Sequence, residues 1–199
     1  MKFFSTLLIC FIAFLTLWGF IPTAEECSIY DSTLRLHVIA NSDTDTDQAL
    51  KLKVRDAVVE HISGYDATSK EEALTAVMAD TELIEDIAKA VLVENGVFQD
   101  VKIEIGEEEY PIRYYEDFSL PAGVYTSVRV IIGEGEGQNW WCVLFPPICS
   151  SYASEWDEEE YVSVGLSGEQ YDLITGAGGE YKVKFKLLEI AAEAFGIEY

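Results

Sequence analysis

The chain has 199 residues, which is long enough for one domain with a substantial hydrophobic core. Its 36 acidic and 13 basic residues give a formal net charge of −23. That charge argues against a nucleic-acid-binding protein and against a polybasic membrane-surface protein, because both depend on clustered cationic side chains. A hydrophobic fraction of 49% argues against wholesale disorder.

Residues 1–26 have the composition of a targeting segment. Lys2 precedes an almost unbroken apolar run, whose length lies between that of a signal-peptide core and that of a membrane-spanning helix. Pro22 departs from the small-x-small pattern of a cleavage site. We therefore expect export, with residues 1–26 as a signal peptide or an N-terminal anchor. Membrane contact is expected only through this segment, if it is not cleaved. Residues 27–33 are expected to be a linker to a domain over residues 34–199.

The first strand and helix of that domain are predicted from residues 34–62. Apolar and β-branched residues at 34–39 indicate a buried strand, which Asn41 and Ser42 end because their side chains favour turns. Thr44 or Asp45 is a suitable N-cap for a following helix. The buried face of that helix is marked by apolar residues at helical spacing, namely Leu50, Val54, Ala57, Val58 and Ile62.

Three basic residues of this helix, Lys51, Lys53 and Arg55, fall largely off its apolar face. We expect them to be exposed as a cationic cluster on an acidic protein. Such a cluster is a candidate for orienting the domain on a partner, since complementary charge guides docking. The alternative is that they are solvated helix residues paired with acids such as Asp47 and Asp56.

The remaining chain predicts helices followed by strands. A second helix is expected to begin at Ser69, with Ala73, Leu74, Val77 and Met78 as its apolar stripe, and a further helical stretch is expected at about 81–94, ending at Asn95-Gly96. Asp80 and Thr81 either split these into two helices or kink a single one. Period-two patterns then indicate strands at 101–105, 110–115, 125–132 and 139–145, with a turn at 107–109. The last two strands are expected to pair across the glycine-rich turn 133–138. The fold class is therefore α+β, a single domain with a mainly antiparallel sheet packed with helices on one side.

Toward the C-terminus, residues 150–160 read as an acidic solvated loop and 167–174 as a short helix with a serine cap. Residues 181–195 predict a terminal amphipathic helix.

Chemical motifs give no catalytic, cofactor-binding or metal-binding residues. Asp43, Asp45 and Asp47 alternate as in a calcium loop, but Gln48 stands where glycine is required and Val54 where the bidentate glutamate is required. The only two histidines, His37 and His61, lack a zinc-protease setting and are expected to be structural.

Two cysteines flank a short stretch that contains two prolines. Cys142 and Cys149 lie on either side of Pro146-Pro147, whose bend is able to bring them together. A disulfide between them is expected outside the cytosol, the alternative being two buried reduced cysteines.

Trp140 and Trp141 are adjacent on a predicted strand, so their side chains must point to opposite faces. One is expected to fill the core. The other is either covered in a two-layer packing or is a candidate partner-binding residue.

Two long stretches resemble one known family. They are RLHVIANSDTDTDQALKLKVRDAV from Arg35 and GEGEGQNWWCVLFPPIC from Gly133, and KVKFKLLEI near the C-terminus is similar to the closing helix of the same family. The chain is thereby identified as a member of the stage II sporulation protein R family over most of residues 34–189. The acidic stretch 155–160 carries no part of the resemblance.

The resemblance implies an exported signalling protein rather than an enzyme. Such proteins cross the forespore membrane into the intermembrane space. There they activate a membrane-embedded aspartic protease, which processes the pro-form of the early mother-cell sigma factor. The residues alone leave two alternatives, a secreted hydrolase of peptide or cell-wall bonds and a structural envelope protein.

Overall fold

The computed structural model describes residues 2–18, 24–115, 118–148 and 157–176. Its helices are α1 (Lys2–Trp18), α2 (Ala24–Ser32), α3 (Asp45–Ile62), α4 (Lys70–Ala79), α5 (Thr81–Glu94), α6 (Glu158–Ser163) and α7 (Gly168–Thr175). Its strands are β1 (Leu34–Ile39), β2 (Val101–Tyr110), β3 (Arg113–Tyr114), β4 (Ser119–Leu120), β5 (Gly123–Ile132) and β6 (Asn139–Phe145). The predicted terminal helix 181–195 lies outside the described residues.

The central sheet has four strands in the order β2–β5–β1–β6. Strand β1 runs parallel to β5 and antiparallel to β6, whereas β2 and β5 are antiparallel. Strands β3 and β4 form a separate two-stranded pair. The expected pairing of β5 with β6 is wrong, because β1 lies between them. The predicted α+β class with a mainly antiparallel sheet is confirmed.

Strand β1 takes the central position because it is buried on both faces. Five of its six residues are buried, and strands of that kind lie inside a sheet rather than at its edge. The glycine-rich turn therefore passes over the end of β1 instead of closing a hairpin. Its backbone donates hydrogen bonds to the loop after β1, from Glu136 N to Asn41 O at 3.2 Å and from Gly137 N to Ala40 O at 2.9 Å.

Strand β2 continues through the acidic triplet that predicted a turn at 107–109. Glu107, Glu108 and Glu109 pair in register with Thr126, Tyr125 and Val124 of β5. Because β2 lies at the edge of the sheet, Glu107 and Glu109 reach solvent from within the strand. The predicted turn is therefore wrong.

Helices α3, α4 and α5 cover one face of the sheet, as the fold prediction expected. The core on this face joins the three helices to alternate residues of the strands. It includes Leu36 and Val38 of β1, Val128 and Val130 of β5, and Val54, Val77 and Ile84 of the helices. Each of these seven side chains is fully buried.

A second, smaller layer covers the other face. Helices α2, α6 and α7 contribute Ile29, Tyr161 and Leu173, which pack with Tyr125 and Val143 of the sheet. This layer was not part of the prediction from sequence. Helix α2 also takes up most of the segment 27–33 that was expected to be a linker, and Ile29 within it is fully buried.

Three helices begin directly after residues that the sequence offered as N-caps. The backbone N–H groups of Asp47, Glu72 and Gln170 donate to the side chains of Thr44, Ser69 and Ser167 respectively. The acidic run at 157–160, expected to be a solvated loop, instead begins α6. Asp157 caps this helix, and three glutamates follow in its first turn, where the helix dipole favours negative charge.

The first helix, α1, presents its large apolar side chains to solvent, among them Phe3 and Phe4. It has 17 residues. Across the described part of the chain, no helix combines the length and apolarity needed to cross a bilayer.

Candidate partner-binding site at the β1–β6 edge

The two long sequence motifs lie side by side in the structure. Strand β1 carries the first motif and β6 the second, and their antiparallel register pairs Val38 with Trp140 and His37 with Trp141. Residues about a hundred positions apart in the chain therefore form one continuous region, which includes both faces of this strand pair and the loops at its end.

At the end of the strand pair, the glycine-rich turn packs against the loop after β1. The backbone N–H of Gln138 donates to Asp43 Oδ1 at 2.7 Å, and that of Glu134 donates to Asn41 Oδ1 at 3.1 Å. A Cβ on Gly137 would lie 2.4 Å from Ser42 O, so the close approach of the two loops requires glycine at position 137.

The aspartates of the loop after β1 act as hydrogen-bond acceptors within the fold. Asp47 Oδ2 accepts from the Ser42 hydroxyl at 2.6 Å and from the Asn41 amide at 2.8 Å. These hydrogen bonds lower the pKa of the Asp47 carboxyl, the one from Ser42 having the largest effect. In the described ranges, no group of three His, Cys, Asp or Glu side chains is placed to hold a metal ion.

Lys51 is not exposed, contrary to the prediction for the basic cluster. Only 5% of its surface is accessible. Its Nζ donates to Gln48 Oε1 at 2.6 Å and to the backbone oxygen of Gln138 at 2.9 Å, which ties α3 to the glycine-rich turn. Burial lowers the pKa of the Lys51 ammonium. Lys51 therefore positions the turn and is not available as a contact residue.

Arg55 and Trp140 contact each other on the helix side of the sheet, and both are half-buried. The Arg55 guanidinium carbon lies 4.7 Å from the centroid of the Trp140 ring, within the range of a cation–π interaction. Arg55 Nη2 also contacts Asp56 Oδ1 at 2.6 Å, and this pairing was one of the alternatives that the sequence left open. Lys53 is exposed and donates to Asn95 Oδ1. Two of the three predicted basic residues are thus accessible.

Trp141 points to the opposite face of the sheet, as predicted for adjacent residues of a strand. Its ring stacks on His37 with centroids 3.9 Å apart and an interplanar angle of 18°, and it meets Tyr110 edge to face at 4.8 Å. The Arg113 guanidinium carbon lies 4.5 Å from the ring centroid. Both tryptophans are half-buried, and each is covered by an arginine.

His37 is buried beneath Trp141 with a carboxylate at one ring nitrogen. Its Nδ1 lies 3.3 Å from Glu108 of β2. Burial lowers the pKa of His37, and this outweighs the opposing effect of the Glu108 charge. The structure thus agrees with a structural setting for His37.

Arg35 lies on the same face and has no accessible surface. Its guanidinium carbon is 4.2 Å from the Tyr110 ring centroid and 5.0 Å from that of Tyr125. Its Nε donates to the backbone oxygen of Cys142 at 3.3 Å and its Nη2 to the Tyr115 hydroxyl at 2.9 Å.

Sequence reasoning did not single out Arg35, Tyr110 or Arg113 as site residues. One signal was available, because Arg35 and His37 alternate with Leu34, Leu36 and Val38 along β1. That alternation indicates that one face of β1 is apolar and the other carries polar side chains.

Cys142 is buried, and its Sγ lies 3.6 Å from the backbone oxygen of Val143. Cys149 lies outside the described residues, so the disulfide stays a prediction.

Next to Cys142, between β6 and the segment after α3, lies a cavity of about 120 Å³ with a mostly apolar lining that includes Ile62, Tyr65 and Phe145.

The comparisons with known proteins agree with the resemblance of the two motifs. The family model described as stage II sporulation protein R matches residues 30–155. The Stage II sporulation protein R of Bacillus subtilis (strain 168) is 37% identical over 158 residues, covering 73% of this chain and 70% of that relative. No solved structure matches the chain.

Proposed function

Because the chain belongs to the stage II sporulation protein R family, we propose that it is the exported signal that activates a membrane-embedded aspartic protease during sporulation. The protein crosses the forespore membrane into the intermembrane space, directed by its N-terminal segment as a signal peptide or an anchor. The activated protease then processes the pro-form of the early mother-cell sigma factor.

The observation that carries this proposal is the meeting of the two family motifs at the β1–β6 edge. Residues from Arg35 onward and from Gly133 onward build one region rather than two separate ones. A protein that activates a protease by contact needs a defined surface of this kind. The exposed part of the region combines aromatic and cationic side chains, the types that are enriched at the centres of protein interfaces.

The accessible basic residues are proposed to orient the domain on the protease. Lys53 and Arg55 remain available on α3, whereas Lys51 is used inside the fold. On a protein with a net charge of −23, Lys53, which contacts Asn95, and Arg55, which contacts Trp140, are two accessible cations on the surface of α3. Such a surface favours one docking orientation over others.

The test is a reconstitution with three components: the purified chain, membranes containing the protease, and the pro-sigma substrate. Processing is measured as the shortened sigma factor on a gel. Processing that needs all three components supports the proposal. Processing by the chain in membranes that lack the protease would instead favour the secreted-hydrolase alternative. No processing when all three are present would refute protease activation.

The contact surface is tested with the double variant Lys53→Gln and Arg55→Gln. We expect activation to fall several-fold at limiting protein concentration while the melting temperature changes little, because exposed ion pairs contribute little to stability. Lys89→Gln on α5 is the matched control, since it also removes a partly exposed cation, one that pairs with Glu85. Equal activation by both variants would remove Lys53 and Arg55 from the contact surface.

A further inference from the structure

Among the described residues, two arginines beside the second face of the central sheet have no carboxylate partner. The chain has 36 acidic residues, yet neither Arg35 nor Arg113 forms an ion pair with an acid in the part of the chain that the structure describes. Arg129, on the neighbouring strand β5, shows the ordinary arrangement because it pairs with Glu104. Arg35 and Arg113 therefore differ from Arg129 in having no acidic partner among the described residues.

Arg35 keeps hydrogen-bonding capacity in a fully buried position. Its Nε and Nη2 are satisfied by Cys142 O and the Tyr115 hydroxyl, but its Nη1 is buried without a hydrogen-bond partner. A guanidinium carries five N–H groups in a planar fork. A buried cation with an unused donor is costly unless some other group completes its hydrogen bonds.

Arg113 adds a second guanidinium with an unused donor. Its Nε is also buried without a hydrogen-bond partner, while its guanidinium lies over Trp141. Tyr110 contacts both Trp141 and Arg35, so the two guanidinium groups flank the same pair of aromatic rings. Burial lowers the pKa of Arg113, and the positive charge of Arg35 lowers it further.

The carboxylate of Glu108 lies on this part of the face but interacts with a different side chain. Glu108 pairs with His37, and no ion pair joins it to either arginine. Counted over the described residues, the excess charge around Trp141 and Tyr110 is therefore positive, in a chain whose overall charge is strongly negative. This local reversal of sign favours an anion at this position.

We propose that Arg35 and Arg113 form a binding site for a carboxylate of a protein partner, either an acidic side chain or a C-terminal carboxylate. The guanidinium fork matches the two oxygens of a carboxylate. Arg113 and Trp141 are partly exposed whereas Arg35 is fully buried, so the carboxylate contacts Arg113 directly and the Arg35 charge lies behind that contact. The site goes beyond the proposed function and does not depend on which protein supplies the carboxylate.

The first test measures binding directly, without the protease. The ¹⁵N-labelled full chain is kept soluble in a neutral detergent, and the arginine Nε–Hε resonances are followed during titration with sodium acetate. Acetamide is the uncharged isostere, and sodium chloride controls for ionic strength. We expect the Arg113 and Arg35 signals to shift with acetate alone, and the Arg129 signal to stay in place.

The second test uses two N-acetylated tripeptides to identify the source of the carboxylate. Acetyl-Gly-Glu-Gly-amide offers a side-chain carboxylate, and acetyl-Gly-Gly-Gly with a free C-terminus offers a terminal one. Binding of either peptide supports a protein partner and assigns the source. Binding of acetate with rejection of both peptides would overturn the protein partner in favour of a free small carboxylate.

Matched variants complete the design. Arg113→Gln should weaken binding of the preferred peptide at least tenfold, and Arg113→Lys should restore only part of it, because lysine lacks the planar fork. Arg129→Gln, which removes an arginine already paired with Glu104, should leave binding unchanged. Equal affinity for acetate and acetamide, or equal losses in Arg113→Gln and Arg129→Gln, would overturn the site.

Discussion

Replacing Trp141 by alanine should destabilise the chain more than replacing Trp140 by alanine. Trp141 stacks on His37, meets Tyr110 edge to face and lies beneath Arg113. Trp140 has one such ring interaction described, the contact with Arg55, together with partial packing against the helix-side core. The two variants delete the same side chain from opposite faces of one strand, so each is the control for the other.

The expected magnitudes follow from these contacts. Each aromatic pair contributes about 0.5–1.5 kcal/mol beyond its buried area, and a partly exposed cation–π contact about 0.5–1 kcal/mol. Complete burial of a tryptophan would give a loss of about 3–5 kcal/mol on truncation. Because Trp141 is half-buried, we expect a loss of about 2–4 kcal/mol for Trp141→Ala. For Trp140→Ala we expect about 1–2 kcal/mol.

The assay is urea unfolding followed by far-ultraviolet circular dichroism, with the midpoint and slope measured for each variant. The slopes should match the wild-type value, since neither substitution changes the surface exposed on unfolding by much. Protease activation is measured in parallel at a temperature where both variants are folded. Trp140→Ala should lose more activation than its stability loss explains. Equal stability losses, or a larger loss for Trp140→Ala, would refute the assignment of Trp141 as the packing residue.

Three further predictions concern the loops, the buried histidine and the cysteines. Gly137→Ala should cost about 1–3 kcal/mol in free energy of unfolding, because its Cβ would lie 2.4 Å from a carbonyl oxygen of the facing loop. Gly106→Ala, whose Cβ would meet nothing within 4 Å, is the control. Burial lowers the pKa of His37 below 6.5, so the unfolded chain takes up its proton first as the pH falls. Wild type should therefore lose stability relative to His37→Asn as the pH falls below 6.5, measured by urea unfolding across that range; a constant difference would contradict this. Alkylation of the unreduced exported protein in denaturant, read by mass spectrometry, should leave Cys142 and Cys149 unlabelled, whereas full labelling of both would reject the disulfide.

The parts of the fold that depend on nearby residues were predictable from sequence. The first strand and the start of α3 followed from a buried run and a threonine cap, and both are present at the expected positions. Ser69 and Ser167 begin their helices for the same reason. A cap and the backbone N–H that it accepts lie within three residues, so the information needed is local.

Strand order was not predictable in this way. A glycine-rich turn between two strands has the same composition whether it closes a hairpin or passes over a third strand. The difference arises from β1, which precedes β5 by almost ninety residues and inserts between β5 and β6. The amino-acid composition of the turn does not reveal non-local pairings of this kind. The continuous burial of β1 indicated a central strand without naming its neighbours.

The burial of Lys51 was not predictable from sequence for the same reason, because it depends on a residue far away in the chain. The helical position of Lys51 lies off the apolar stripe of α3, which predicted exposure. Its ammonium group instead reaches the backbone oxygen of Gln138, 87 positions further along the chain. A lysine is kept inside a fold when fixed oxygen atoms satisfy its donors, and here those oxygens are supplied by the arrangement of the glycine-rich turn.

The polar face of β1 explains why two distant motifs belong to one structural unit. A fully buried Arg35 and a nearly buried His37 in the central strand would be unfavourable without compensating groups. Those groups come from β6, whose Cys142 carbonyl accepts from Arg35 and whose Trp141 covers His37. A change in either strand therefore alters the environment of the other. The buried settings of Arg35 and His37 in the first motif thus depend on residues of the second, and the surface at their shared edge depends on both.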